Sequence, residues 1–303
     1  MKFYPEGQNP QLLRTFDKLE DVKIAMMNGS VMESRVLMCD SEHNLHVDLG
    51  IIRGVIPREE GAIGIDDGTT RDIALISKVN KPVCFIILGF QRDESGNISA
   101  ILSRKAVQLG CKKNFIDNLA EGDIIDARVT HLEKFGAFID IGAGINALIP
   151  IDMLSVSRIS HPGERVYEGE NIKAVLRKRE PQKLTFSLKE LLGTWSENAM
   201  LFEPGQTVTG TVRSIETYGV FVELTPNLAG LAEPCDYLFE GQRVAVYIKS
   251  VLPDKMKIKL VIVEAFEEAD MAQELTYFVN AQHIDRFDYS PPGAPKVIST
   301  VFE

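Results

Sequence analysis

Residues 121–150 read EGDIIDARVTHLEKFGAFIDIGAGINALIP, and residues 204–233 read PGQTVTGTVRSIETYGVFVELTPNLAGLAE. The two align without a gap at a constant offset of 83 residues, pairing Gly122 with Gly205, Val129 with Val212, Gly136 with Gly219 and Leu148 with Leu231. A second glycine-led stretch follows each, EGENIKAVL from Glu168 and EGQRVAVYI from Glu240, and after it a basic, strand-like segment, QKLTFSL and KMKIKLVI. Such self-similarity is the first thing to look for in a chain, because it fixes the folding unit. Each unit reads as about five short strands, punctuated by glycine and proline turns, within roughly 60–70 residues.

A weaker copy precedes them. EHNLHVDLGIIRGVIP (residues 42–57) lies over the turn and third strand of the second unit, and KPVCFIILGF and NISAILSRK supply its last strands. His43 and His46 occupy its aromatic positions, and Asn44 stands where the other units have a turn glycine. The expected fold class is therefore all-β dominated, with three tandem OB-type five-stranded barrels joined by short helices. The expected divisions are an N-terminal helical segment (1–28), a degenerate barrel (29–105), a linker helix (106–119) and a full barrel (120–190). A second linker helix (191–203), a shortened barrel (204–262) and an acidic extension (263–303) follow. Both linkers show helical period: Val107, Cys111, Phe115 and Leu119 in one, Leu188, Leu192, Trp195, Ala199 and Phe202 around the other. The tail segments YSPPG and KVISTVF suit a short hairpin laid on the last barrel.

Successive strand residues point to opposite faces. Ala137, Ile139 and Ile141 thus share one face and Phe138 and Asp140 the other. Val220, Val222 and Leu224 likewise oppose Phe221 and Glu223, and Leu45, Val47 and Leu49 oppose His46 and Asp48. The aliphatic face must line the barrel interior, because burying an unpaired carboxylate costs several kcal/mol. The aromatic then stands outside, beside a solvated acid. A flat ring at the same outward site in repeated barrels suits stacking against nucleic-acid bases, worth ~1–3 kcal/mol per base whatever its identity.

Bulk properties bound the alternatives. The net charge of −10 is concentrated in residues 263–303, which hold eight acidic and two basic residues. The rest is close to neutral and relies on a local basic strip for any anionic partner. Cys39, Cys84, Cys111 and Cys235 lie far apart, which argues against a disulfide framework or structural zinc site and suits a cytoplasmic setting. No apolar run reaches membrane-spanning length. No nucleophile triad or phosphate-binding loop is recognisable, and no enzyme or cofactor is expected. Cys39, His43 and His46 beside Asp48 are the nearest approach to a metal-ligand set.

The units resemble the S1 RNA-binding domain, an OB-type barrel. FGAFIDI, ALIP and FSLK carry the resemblance in the second unit, and YGVFVEL, GLAE and KLVI in the third. NLHVDL, GVIP and LSRK carry it in the first. The resemblance implies single-stranded RNA or mRNA as partner, low sequence preference, a setting in translation or mRNA handling, and the small ribosomal subunit as a further partner. Carried over residue by residue, it implies Phe135 and Phe138, Tyr218 and Phe221, and His43 and His46 as stacking positions. Arg179 and Lys183, with Lys134, are the implied basic contacts of the second unit, and Lys255 and Lys257 those of the third. The family's third-strand histidine is replaced by Pro57, Pro150 and Glu233. The third unit has only 7 residues between Glu233 and Gly241, against 18 between Pro150 and Gly169, and so lacks the usual connection before strand four. These departures favour the second unit as the RNA binder. They also keep open a protein-interaction scaffold, or an accessory subunit of an RNA-degrading assembly.

Overall fold

A computed structural model describes residues 3–92, 96–181, 183–269 and 275–302. After α1 (Leu19–Met27), the first barrel takes β1 (Met32–Cys39), β2 (Leu45–Asp48), β3 (Arg53–Ile56), β4 (Pro82–Arg92) and β5 (Ile98–Ser103). The one-turn α2 (Ile73–Ile76) lies between β3 and β4, and α3 (Arg104–Asn114) follows β5. The second barrel takes β6 (Ile124–Glu133), β7 (Gly136–Asp140), β8 (Asn146–Pro150), β9 (Asn171–Glu180) and β10 (Lys183–Ser187). After α4 (Trp195–Ala199), the third takes β11 (Thr207–Glu216), β12 (Gly219–Thr225), β13 (Leu228–Ala232), β14 (Gln242–Leu252) and β15 (Lys257–Ala269). A two-stranded hairpin, β16 (Arg286–Asp288) and β17 (Ser299–Val301), ends the chain.

All three barrels are closed and share one strand order, with the third strand running parallel to the fifth. Closure leaves no exposed sheet edge to pair with other chains. By contacts the chain divides into two compact units, Met1–Leu119 with Asp126–Arg128 and Asp140–Asn146, and Ala120–Ile125 with Val129–Ile139 and Ala147–Glu303.

The alternation read from the sequence sets which face is inside. Leu45, Val47, Leu49, Ala137, Ile139, Ile141, Val220, Val222 and Leu224 are all buried. The short linkers are held by caps. Ser103 Oγ accepts from the Ala106 N–H at the start of α3, and Thr194 and Glu197 form a reciprocal capping box on α4. Helical structure in the second linker is confined to α4 and a single turn at Lys189–Leu191. In the tail, Phe287 and Tyr289 join the core of the third barrel, while Phe302 packs on Val175 and Leu191 of the second. Residues 270–274, at the acidic start of the extension, lie outside the described residues.

One expectation fails. The acid beside the aromatic is solvated only in the first barrel, where Asp48 is exposed and caps the turn at Gly50. Asp140 is 2% exposed and Glu223 7%. The parity was read correctly, but the outward face at those points is covered. Asp140 accepts the N–H groups of Glu6 (2.7 Å), Gly142 (2.8 Å) and Gly144 (3.0 Å). Glu223 is gripped by two guanidiniums, with Arg213 Nε at 2.9 Å and Arg165 closing the other side.

Candidate nucleic-acid interface

In the third barrel the strand register places one outward row across all five strands. Ser214 lies opposite Phe221, Phe221 opposite Leu231, Leu231 opposite Lys259 and Lys259 opposite Ser250. Tyr218, at the hairpin tip beyond Phe221, is 64% exposed and meets it edge to face, with ring centroids 6.2 Å apart. Phe221 itself is half-buried by that contact. The row thus presents a ring, a second ring at its edge, an apolar floor and one exposed lysine.

The second barrel repeats this. Phe135 is 56% exposed, Phe138 is half-buried, and their rings are 5.9 Å apart at 86°. Leu148 lies opposite Thr185, and Thr185 opposite Lys178. The 83-residue offset carries Phe221 and Leu231 back to Phe138 and Leu148, so the row runs Phe138, Leu148, Thr185, Lys178. Edge-to-face packing fixes both rings of each pair at little entropic cost, because one exposed ring orients the other.

The glycine inside each aromatic pair permits a close approach. A Cβ on Gly136 would sit 2.4 Å from the Ile149 carbonyl oxygen, and one on Gly219, at φ +154°, 2.4 Å from that of Ala232. Any larger residue would push the third strand away and splay the platform.

The basic residues divide differently from the sequence reading. Lys183 is exposed two residues from Thr185 on the same face, and Lys134 is exposed at the hairpin tip beside Phe135. Arg179 is exposed but pairs with Leu184, off the row; Lys178, paired with Glu180 at 2.9 Å, is the residue on it. Arg177 lies over the Phe302 ring at 5.6 Å and so serves the tail. In the third barrel Lys255 lies in the turn between β14 and β15 and Lys257 opposite Leu252, while the row cation is Lys259. Lys259 was missed. Its signal was the alternation in KIKL, which puts residues 257 and 259 on one face.

His131 was also missed. The same offset places it where Ser214 stands, beside Phe138. It is exposed, and both ring nitrogens are engaged, Nδ1 with Glu168 at 2.8 Å and Nε2 with Glu133 at 3.0 Å. The hydrogen bonds to Glu133 and Glu168 raise its pKa.

The first barrel departs furthest. Its row runs Met38, His46, Val55, Ile101, Gly89 and carries no lysine or arginine. His46 Nε2 is held by Asp40 at 2.8 Å. The slight burial of Asp40 is outweighed by hydrogen bonds from His46, Asn44 and Glu42, which lower its pKa to about 2. His43, not Asn44, takes the left-handed turn conformation at φ +66°, which removes it from the strand. Among the described residues no group of three or more His, Cys, Asp and Glu side chains is placed to hold a metal ion. Nor is any helix there long and apolar enough to cross a membrane.

Residues 118–189 match the S1 RNA binding domain family. The chain is 31% identical over 249 residues to the small ribosomal subunit protein bS1 homolog of Bacillus subtilis, covering 76% of this chain and 62% of that protein. It is 35% identical over 184 residues to small ribosomal subunit protein bS1 of Staphylococcus epidermidis, covering 55% of this chain and 47% of that one. The bS1 homolog of Bacillus cereus is 30% identical over 253 residues, covering 77% and 63%. The chain thus spans less than two thirds of the length of each of these relatives.

Proposed function

Because the chain is an S1-domain protein homologous to bacterial small ribosomal subunit protein bS1, we propose that it binds single-stranded RNA with little sequence preference, in association with the ribosome and translation. The observation that carries this reading is the outward row. In both the second and third barrels a ring pair, an apolar floor and a lysine follow one another across neighbouring strands. Bases stack on the rings, and the lysines meet the backbone phosphates. Two such rows on one chain gain from tethering, since the second contact is made at high effective concentration. mRNA is the corresponding partner and the small ribosomal subunit the corresponding site of work, in the cytoplasm.

The test is fluorescence anisotropy of a labelled single-stranded RNA of about 20 nucleotides. Phe135→Ala/Phe138→Ala is expected to weaken binding about 10-fold or more, because stacking on each ring is worth ~1–3 kcal/mol. Rising salt should weaken wild type with a log–log slope of about 0.7 per phosphate contacted. Binding that ignores both the rings and the salt would sink the proposal. A smaller change probes Glu233, exposed at the end of β13 next to the Tyr218 hairpin. Glu233→Gln removes a charge that repels phosphate and is expected to tighten binding by about two- to fivefold at low salt, with the gain fading as salt rises.

The first barrel favours a second role. Its row offers exposed Met38 with Val55 and Ile101 and no cation, a surface better suited to protein than to RNA. Substituting His43 and His46 by alanine should therefore leave RNA affinity in the same assay unchanged.

A further inference from the structure

The fourth strand of the third barrel carries a further outward aromatic. Tyr247, on β14, is 40% exposed and lies opposite Val261 of β15, itself 41% exposed. Val261 is two residues along the same face from Lys259, the cation of the aromatic row. Parallel pairing of β13 with β15 means that this step leads toward the hairpin tip that carries Tyr218. Taking about 4.8 Å between strands and 3.3 Å per residue, Tyr247 stands about 16 Å from Phe221, measured along the sheet. That lies within the reach of a strand on a barrel of this type, which accommodates about 4–16 nucleotides. Lys249 is exposed in the bulge between Ile248 and Ser250, two residues from Tyr247 toward the row.

The same place is more covered in the other barrels. Aligning Gly169 with Gly241 puts Val175 at the position of Tyr247, and Val175 is fully buried beneath Leu191 and Phe302. In the first barrel the equivalent pairing is Ile86 opposite Ser103, with Ile86 half-buried. An aromatic left uncovered at a position that is apolar elsewhere, with lysines on either strand beside it, has the make-up of a base-stacking platform.

We propose that Tyr247 is an additional stacking platform for single-stranded RNA, reached from the Phe221 row by way of Lys259. The proposal rests on the reading that RNA lies along that row. It makes the third barrel's track longer than that of the second, which offsets the third barrel's missing connection and its Glu233.

The test uses the full chain and a 12-nucleotide oligouridylate. Tyr247→Ala is expected to weaken binding about 5- to 50-fold, while Tyr247→Phe, which keeps the ring and the fold, binds like wild type. Tyr247→Trp supplies a direct reporter, since the chain's other tryptophan, Trp195, is buried; RNA stacked on it should quench its emission. Tyr218→Ala/Phe221→Ala is run alongside. If that variant loses affinity while Tyr247→Ala does not and Tyr247→Trp is not quenched, this inference is overturned and the RNA reading stands. If neither variant changes affinity, the RNA reading of this barrel falls with it. Unchanged RNA binding by Tyr247→Ala with an altered oligomeric state would assign the face to a protein contact and overturn the inference equally.

Discussion

Replacing Glu223 by alanine is expected to destabilise the C-terminal compact unit by about 3–5 kcal/mol, the usual cost of removing one partner from a buried ion pair. Arg213 donates to Glu223 through Nε at 2.9 Å and Nη2 at 3.0 Å, and Arg165 reaches the same carboxylate. The Arg165 side chain is 3% exposed and that of Arg213 9%. Without Glu223 the two guanidiniums repel each other out of reach of water, with Glu164 left to serve Arg213 alone. Burial and the nearby Arg213 charge already lower the pKa of Arg165 against the pull of Glu223. Urea denaturation followed by tryptophan emission reads the loss, because Trp195 sits in the core that this unit shares. An unfolding free energy within about 0.5 kcal/mol of wild type would mean that water reaches the two arginines. Glu223→Gln should cost less, since the amide still accepts from one arginine.

That network shows where the sequence was legible and where it was not. Strand number and the buried face follow from alternation and a gapless repeat, and these are local properties of the chain. The ring pairs were equally legible, because Phe135 and Phe138 lie on one hairpin. The burial of the acid two residues after the second ring was not. Asp140 and Glu223 occupy the same place in the repeat, and alternation puts both outside. Glu6 covers Asp140 from 134 residues away, and Glu223 is closed off by Arg213 on the neighbouring strand together with Arg165, 58 residues away. No periodicity carries such pairings. Asp48 has no such partner and stays in water, so the acid's burial is a matter of what packs against each barrel. The same limit explains Lys259. Its neighbours Leu231 and Ser250 belong to other strands, and only the register assigns it, rather than Lys257, to the aromatic row.

The N-terminal compact unit should lose stability as pH rises from about 4.5 to about 7, and Glu33 is the main reason. Its side chain is fully buried; one carboxylate oxygen accepts the Gly7 N–H at 3.1 Å and the other has no hydrogen-bond partner among the described residues. Burial, with the nearby charges of Glu6 and Asp140, raises its pKa to about 7, against the pull of the Gly7 N–H and Arg128. Asp140 follows the same course, raised to about 6 by burial and by Glu6. Glu6 goes the other way: burial alone would raise it, but Arg104 and Lys78 outweigh that and hold it ionised. The sign follows from proton counting. Between the unfolded value of 4.5 and the folded value of about 7, the native state holds a proton on Glu33 that the unfolded chain has lost. Stability from this group is complete below that window, falls as pH rises through it, and is gone above it. At 1.36 kcal/mol per pKa unit the full loss is about 3 kcal/mol. Glu33→Gln removes the titration while keeping the shape and an acceptor for Gly7. Thermal melts at intervals from pH 5 to 8.5 should show the wild-type curve falling and the variant flatter, with the variant gaining most at pH 8.5. Parallel curves would place the pH sensitivity elsewhere, with Asp140→Asn the next substitution to measure.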